Sequence, residues 1–199
     1  MSPNAPSTST NNEVEAKILE VTPESIKDFL ESLRAKPFFN GILRAQWMCN
    51  INGEKLRVRQ EWELIKVEHK LIAPASEIGI KSAKETGFSA NNFQDVVDTL
   101  LVVGFTREGL PSVKRRVSYL IGENKESGVV LDFDTYIELM GKKWQEDNPA
   151  IPTFLEIESK KWQEEVIQIA KILGFHESNL KDWWPVKLFQ HYYPNETIL

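Results

Sequence analysis

Apolar positions recur along this chain with two different periods. In "TPESIKDFLESL" the apolar residues Ile26, Phe29, Leu30 and Leu33 fall on one stripe, which predicts a helix with Thr22 as N-cap and Pro23 at its first position. The same spacing predicts a second helix over about Asn92 to Val103, carrying Phe93, Val96, Val97, Leu100 and Leu101 and stopped by Gly104. A third, over about Lys160 to Leu173, carries Trp162, Val166, Ile169, Ala170 and Leu173 and stops at Gly174. Between them the period drops to two, in "LRAQWMCNI", "KLRVRQEWELIKVEHKLI", "SVKRRVSYLI", "GVVLDFDTYI" and "PTFLEIES". These segments are rich in β-branched and aromatic residues and predict strands. Asn52-Gly53 favours a hairpin and an antiparallel sheet, whereas "RVRQEWELIKVEHK" holds no Gly or Asn turn and predicts an irregular one.

No Pro, Gly or Ser linker interrupts residues 13–175, so residues 13–199 read as one domain, with "APASEIG" and "MGKKWQEDNPAIP" as loops within it. The aromatic end "LKDWWPVKLFQHYYPNETIL" is expected to dock on that body, with a short helix carrying Leu188 and Tyr192. Residues 1–12, "MSPNAPSTSTNN", have neither a basic start nor an apolar run and read as a flexible tail.

Composition narrows the function classes. With 199 residues, 41% apolar and 27% charged, the chain can bury a sizeable core. A net charge of -5 argues against binding nucleic acid or an anionic membrane through bulk positive potential. Only Cys49 is available, and His69, His176 and His191 are scattered, so neither a disulfide framework nor a His/Cys metal site is expected. These features fit a soluble protein of the reducing cytoplasm, without a membrane span.

The charges on the strands carry the chemistry. "EVEAK" places Glu13, Glu15 and Lys17 at alternate positions, hence on one face. Arg57 and Arg59 share a face, as do Lys114 and Arg116, Asp132 and Asp134, and Glu156 and Glu158. Any one pair is explained by the wet side of an amphipathic strand. The set is different, because the signs are sorted strand by strand. If these faces turn inward in a closed or nearly closed barrel, the interior is a charged channel that demands a ligand. Carboxylate oxygens suit Mg2+ or Mn2+, and guanidinium and ammonium groups suit phosphate, so a metal-bound polyphosphate satisfies both.

The ordered series "EVEAK", "LRVR", "KRR", "LDFD" and "FLEIES" resembles the CYTH superfamily, the triphosphate tunnel metalloenzymes, over about residues 13–175. The resemblance implies an α+β fold: an antiparallel barrel of about eight strands with helices packed outside. It implies a Mg2+ or Mn2+ cofactor near Glu13, Glu15, Glu156 and Glu158, with Asp132 or Asp134 as the further metal-region acid. Lys17, Arg57, Arg59, Lys114 and Arg116 are then the phosphate-binding and catalytic cations, with Arg115 outward. One more lysine is expected on the following strand, where Lys66 and Lys70 both qualify.

Three functions fit such a tunnel. A metal-dependent hydrolase of an inorganic or organic triphosphate leads, ahead of a class IV adenylyl cyclase and of a non-catalytic polyphosphate-binding module. Trp162, Trp183, Trp184, Tyr192 and Tyr193 read as packing or lid residues, and the aromatic tail or an exposed apolar strand offers a face for a homodimer.

Overall fold

We describe a computed structural model covering residues 11–72, 79–125, 127–145 and 151–196. Nine strands form a single antiparallel sheet: β1 (Asn11–Ile18), β2 (Lys36–Asn50), β3 (Lys55–Glu61), β4 (Leu64–Ile72), β5 (Lys81–Ala90), β6 (Phe105–Ile121), β7 (Val129–Leu139), β8 (Lys142–Lys143) and β9 (Phe154–Ser159). Their order is β6-β2-β3-β4-β5-β1-β9-β7-β8, and β6 also pairs with β7 over Val113–Ile121, which brings the sheet round on itself. The remaining part of β6, from Phe105, pairs with β2 alone among the described residues. The barrel is thus joined along one stretch and open beside it, with β8 as a short appendage on β7.

The core lies outside this barrel. Val14, Ala16 and Ile18 of β1, Leu155 and Ile157 of β9, and Leu131 and Phe133 of β7 point outward. They are covered by α1 (Lys27–Ser32) through Leu30 and by α3 (Gln163–Ile172) through Val166, Ile169 and Ala170. On another side α2 (Phe93–Val102) lays Phe93, Val97 and Leu100 on Met48, Val58 and Ile65. On most strands the helices therefore bury the apolar half and leave the charged half facing the barrel axis; β2 instead turns Leu43, Ala45 and Trp47 inward.

Helix starts and stops follow local chemistry. Asn92 caps α2, its side chain accepting from the Gln94 and Asp95 N–H groups at 2.9 and 3.2 Å. Gly104 ends that helix at a φ of 94°, a conformation that costs a β-carbon-bearing residue. The first expected helix opens as a 3-10 turn, Glu24–Ile26, before α1 begins at Lys27. The third starts later than its stripe suggests. Trp162 occupies its N-cap position and is 68% exposed, because its backbone is still extended. The Asn52-Gly53 hairpin forms as expected, with the Gly53 N–H donating to the Asn50 carbonyl at 3.0 Å.

The β3–β4 connection is a two-residue turn at Trp62-Glu63, with Trp62 at a φ of 53°. The Trp62 indole stacks on Phe39 at 4.8 Å and lies over Gly41, where a β-carbon would collide with it. Ring contact offsets the backbone strain that a Gly or Asn would have avoided. Strand β5 was absent from the pattern expected of the sequence. "KSAKETGFSA" has few β-branched residues, and it is held in place by neighbours on both sides, β1 and β4.

The C-terminal segment stoppers one end. Helix α4 (Pro185–Tyr192) buries Leu188 and Phe189 against Tyr136 and Phe154, which are inward positions at the end of β7 and the start of β9. Just before it, Lys181 and Lys17 exchange two backbone hydrogen bonds of 2.8 Å. Gly79 lets the chain pass the Leu180 carbonyl at a distance no β-carbon would allow. No helix among the described residues is long and apolar enough to cross a membrane.

These faces make a prediction. Val14→Asp puts an unpaired carboxylate in the packing layer and should cost about 3 kcal/mol or more, read as a lowered melting temperature. Glu15→Gln, on the other face, should fold. A stable Val14→Asp protein together with an unfolded Glu15→Gln protein would mean that the faces are reversed.

Candidate functional site

Strand alternation delivers the site directly. Glu13, Glu15 and Lys17 of β1, Arg57 and Arg59 of β3, Lys114 and Arg116 of β6, and Glu156 and Glu158 of β9 line one cavity inside the barrel. Its volume is about 120 Å3, with further space at its open mouth. Asp132 and Asp134 of β7 lie deeper, almost wholly buried.

The charges pair across strands. Arg57 and Arg59 share the Glu68 carboxylate, at 2.9 and 2.8 Å. Lys66 joins Glu61 at 2.9 Å, and Arg59 Nε lies 3.2 Å from Glu61. Arg116 contacts Asp132, Asp134 and Glu156, while Lys114 contacts Asp134. Lys17 is paired with Glu156 and lies 3.5 Å from Glu15, which also pairs with Lys81. Lys160 reaches Glu158 at 2.6 Å and Glu13 at 3.3 Å.

Neither a protein-family model nor a curated protein matches this sequence. Solved structures do resemble the fold. A conserved hypothetical protein from Pyrococcus furiosus superposes with a TM-score of 0.66 at 18% identity, covering 88% of this chain and 99% of its own. A Pyrococcus horikoshii protein gives 0.65 at 20%, covering 88% and 98%. A Vibrio parahaemolyticus protein named "putative adenylate cyclase" gives 0.67 at 12%, covering 92% and 99%. The chain shares the fold of these proteins. At these identities the likeness speaks to the fold, and the chemistry must be argued from the side chains.

In this barrel all the expected inward residues whose side chains are described do face the axis, and Arg115 points outward, donating to Asn40 at 2.9 Å. Lys66 is inward; the side chain of Lys70 lies outside the described residues, as do residues 1–10. Between the two aspartates the geometry draws a distinction. Asp134 is held by Lys114 and Arg116; Asp132 is also held by Arg116 and accepts from Ser118, but it stands with Glu156 and Glu158 in a group whose carboxylate oxygens come within 4.8 Å of one another. Glu13, Glu15 and Glu158 form a second such group.

Both groups offer hard oxygen donors only, and both suit a divalent cation such as Mg2+ or Mn2+. Lys160, between Glu13 and Glu158, puts an ammonium where a cation would sit. At Asp132, burial together with the nearby Asp134, Glu156 and Glu158 outweighs Arg116 and pushes the carboxyl up to about 6. Elsewhere cations win. Burial disfavours both charges of the Lys17–Glu156 pair, but their mutual attraction, with Glu15 on one side and Lys114 and Arg116 on the other, raises Lys17 and lowers Glu156. Lys114 is lowered, by burial first and then by Arg116. Arg59 Nε is buried and lies 3.2 Å from Glu61 without hydrogen-bond geometry.

Sequence reasoning missed Glu61, Glu68, Lys81, Lys160, Trp47 and Trp184. Glu61 and Glu68 sit in the very run that supplied Arg57 and Arg59, and pairing Glu68 with them needs the β3–β4 register, Arg57 opposite Glu68. Lys81 lay on the unexpected strand. Lys160 follows Glu158 at a period of two and was legible.

Glu68 gives a pH test. Burial would raise its carboxyl, but Arg57 and Arg59 overcome that and hold it at about 2 against an ordinary 4.5. A depressed carboxyl stabilises the fold above pH 4.5, and that stabilisation is lost as pH falls toward 2. The full shift is worth roughly 3 kcal/mol. The stability gap between the parent and Glu68→Gln, measured by denaturant, should narrow by about 2 kcal/mol between pH 6 and pH 3. A constant gap would show that this carboxylate is not the one holding the arginines.

Proposed function

We propose that this chain is a metal-dependent phosphohydrolase of a triphosphate-containing substrate, inorganic or organic, bound in the barrel cavity. The observation that carries the reading is the sorting of charge: two carboxylate groups fit to hold cations face Arg57, Arg59, Lys114, Arg116 and Lys17 across one space. A purely structural barrel would fill that space with apolar side chains. A binding module would not need so many carboxylates beside an anion.

The residues would act as follows. Arg57 and Arg59 present planar donor forks already aligned by Glu68, and phosphate oxygens replace that carboxylate as acceptors. Lys114, Arg116 and Lys17 approach from the other walls and stabilise charge that develops on the phosphoryl oxygens. A divalent cation held by Glu13, Glu15 and Glu158, or by Asp132, Glu156 and Glu158, would supply Lewis-acid polarisation when bound. The bond forming is from a water oxygen to phosphorus, the bond breaking is the phosphorus–oxygen bridge, and the water proton passes to a cavity carboxylate.

A class IV adenylyl cyclase would use the same cations but a ribose hydroxyl as nucleophile. Products separate the two. With Mg2+ or Mn2+, tripolyphosphate or ATP should release phosphate, and excess chelator should abolish release. Cyclic AMP and pyrophosphate from ATP would assign the cyclase reaction, and full turnover in chelator would refute the metal.

Geometry is tested apart from charge by Arg57→Lys and Arg59→Lys. Each keeps the charge and removes the fork, so kcat/KM should fall about tenfold or more, a loss of over about 1.4 kcal/mol of transition-state binding. Parental rates in both variants would remove these arginines from the site.

A further inference from the structure

The cavity is not charged all round. Strand β2 lies between the basic strands β3 and β6, yet it contributes only Leu43, Ala45 and Trp47 to the lining. At the end stoppered by α4, Trp184 and Pro185 come over from the C-terminal segment and meet that strip beside Tyr136. The indoles of Trp47 and Trp184 stand 6.1 Å apart at 70°, forming a corner. Neither side chain belongs to the buried cluster that anchors α4.

Two of the cavity cations neighbour this corner. Lys81 Nζ lies 4.2 Å from the Trp184 ring centre, and the Arg57 guanidinium 5.7 Å from that of Trp47. The register sets a direction along the axis. Trp47 lies opposite Arg57, whereas Glu13 and Glu158 lie toward the other end, past Glu15 and Glu156. A bare polyphosphate gains nothing from two indoles and an aliphatic strip, and desolvating its oxygens against them is costly. A planar ring joined to the phosphates gains stacking there while leaving the phosphates among the cations.

We propose that this corner is a subsite for a heteroaromatic ring, so that the substrate is an organic triphosphate of the nucleotide kind and not inorganic tripolyphosphate. This rests on the triphosphate reading of the cavity. The ring lies on Trp184 and against Trp47, and the terminal phosphate points toward Glu13 and Glu158.

The test is calorimetric binding of the β,γ-imido analogues of ATP, cytidine triphosphate and methyl triphosphate in Mg2+, to the parent, Trp47→Leu, Trp184→Ala and Trp184→Phe. The parent should bind both nucleotide analogues at least tenfold more tightly than the methyl compound. Trp184→Ala and Trp47→Leu should each reduce that preference below threefold, and Trp184→Phe should keep most of it. A preference for ATP over cytidine triphosphate would identify a purine as the ring. Equal binding of all three analogues by the parent, or a preference that survives both truncations, would overturn the subsite while leaving the triphosphate site intact. Binding of none would overturn both readings.

Discussion

Every structural choice in this protein answers to one constraint: charges enclosed by a barrel must be neutralised there when no ligand is present. Burying an isolated carboxylate or ammonium costs several kcal/mol, more than most single interactions can return. The chain meets the cost with pairs that cross strands, such as Arg57 and Arg59 on Glu68 and Lys17 on Glu156. Those pairs hold only if the registers of β3 with β4 and of β1 with β9 are fixed, and the registers are fixed from outside. A slip of one residue would turn Val14, Ala16 and Ile18 into the cavity and their charged neighbours into the helices. The apolar shell thus secures the alignment of a polar interior that could not secure itself.

Much of this was legible in the sequence because a strand's period of two writes both faces into one line of residues. "EVEAK" states an outward Val14 and Ala16 and an inward Glu13, Glu15 and Lys17 in five letters, and both faces are where the period puts them. Helix α2 and its caps were equally plain, since Asn92 and Gly104 act locally. What the sequence withheld depends on tertiary neighbours. Strand β5 lacks β propensity and exists through its pairing with β1 and β4. Trp62 sits in a left-handed turn because Phe39 and Gly41, distant in sequence on β2, receive its ring. Trp184 looks like one more aromatic of a packed tail until the Lys17–Lys181 bridge aims it at the cavity.

The pairing also limits what the cavity can accept. Lys17, Arg57, Arg59, Lys66, Lys81, Lys114, Arg116 and Lys160 are balanced in number by Glu13, Glu15, Glu61, Glu68, Asp132, Asp134, Glu156 and Glu158, though Arg57, Arg59 and Lys66 share Glu61 and Glu68, and Lys160 serves both Glu13 and Glu158. A polyanion entering such a balanced interior frees carboxylates as it captures cations, and each freed carboxylate needs a new partner. Divalent cations carried in with the phosphates would restore the balance at the carboxylates, Asp132 among them, whose charge burial and the neighbouring acids already disfavour. On the triphosphate reading proposed above, phosphate and metal would be cooperative ligands in this geometry: each would make the other's site available by taking over half of a salt bridge.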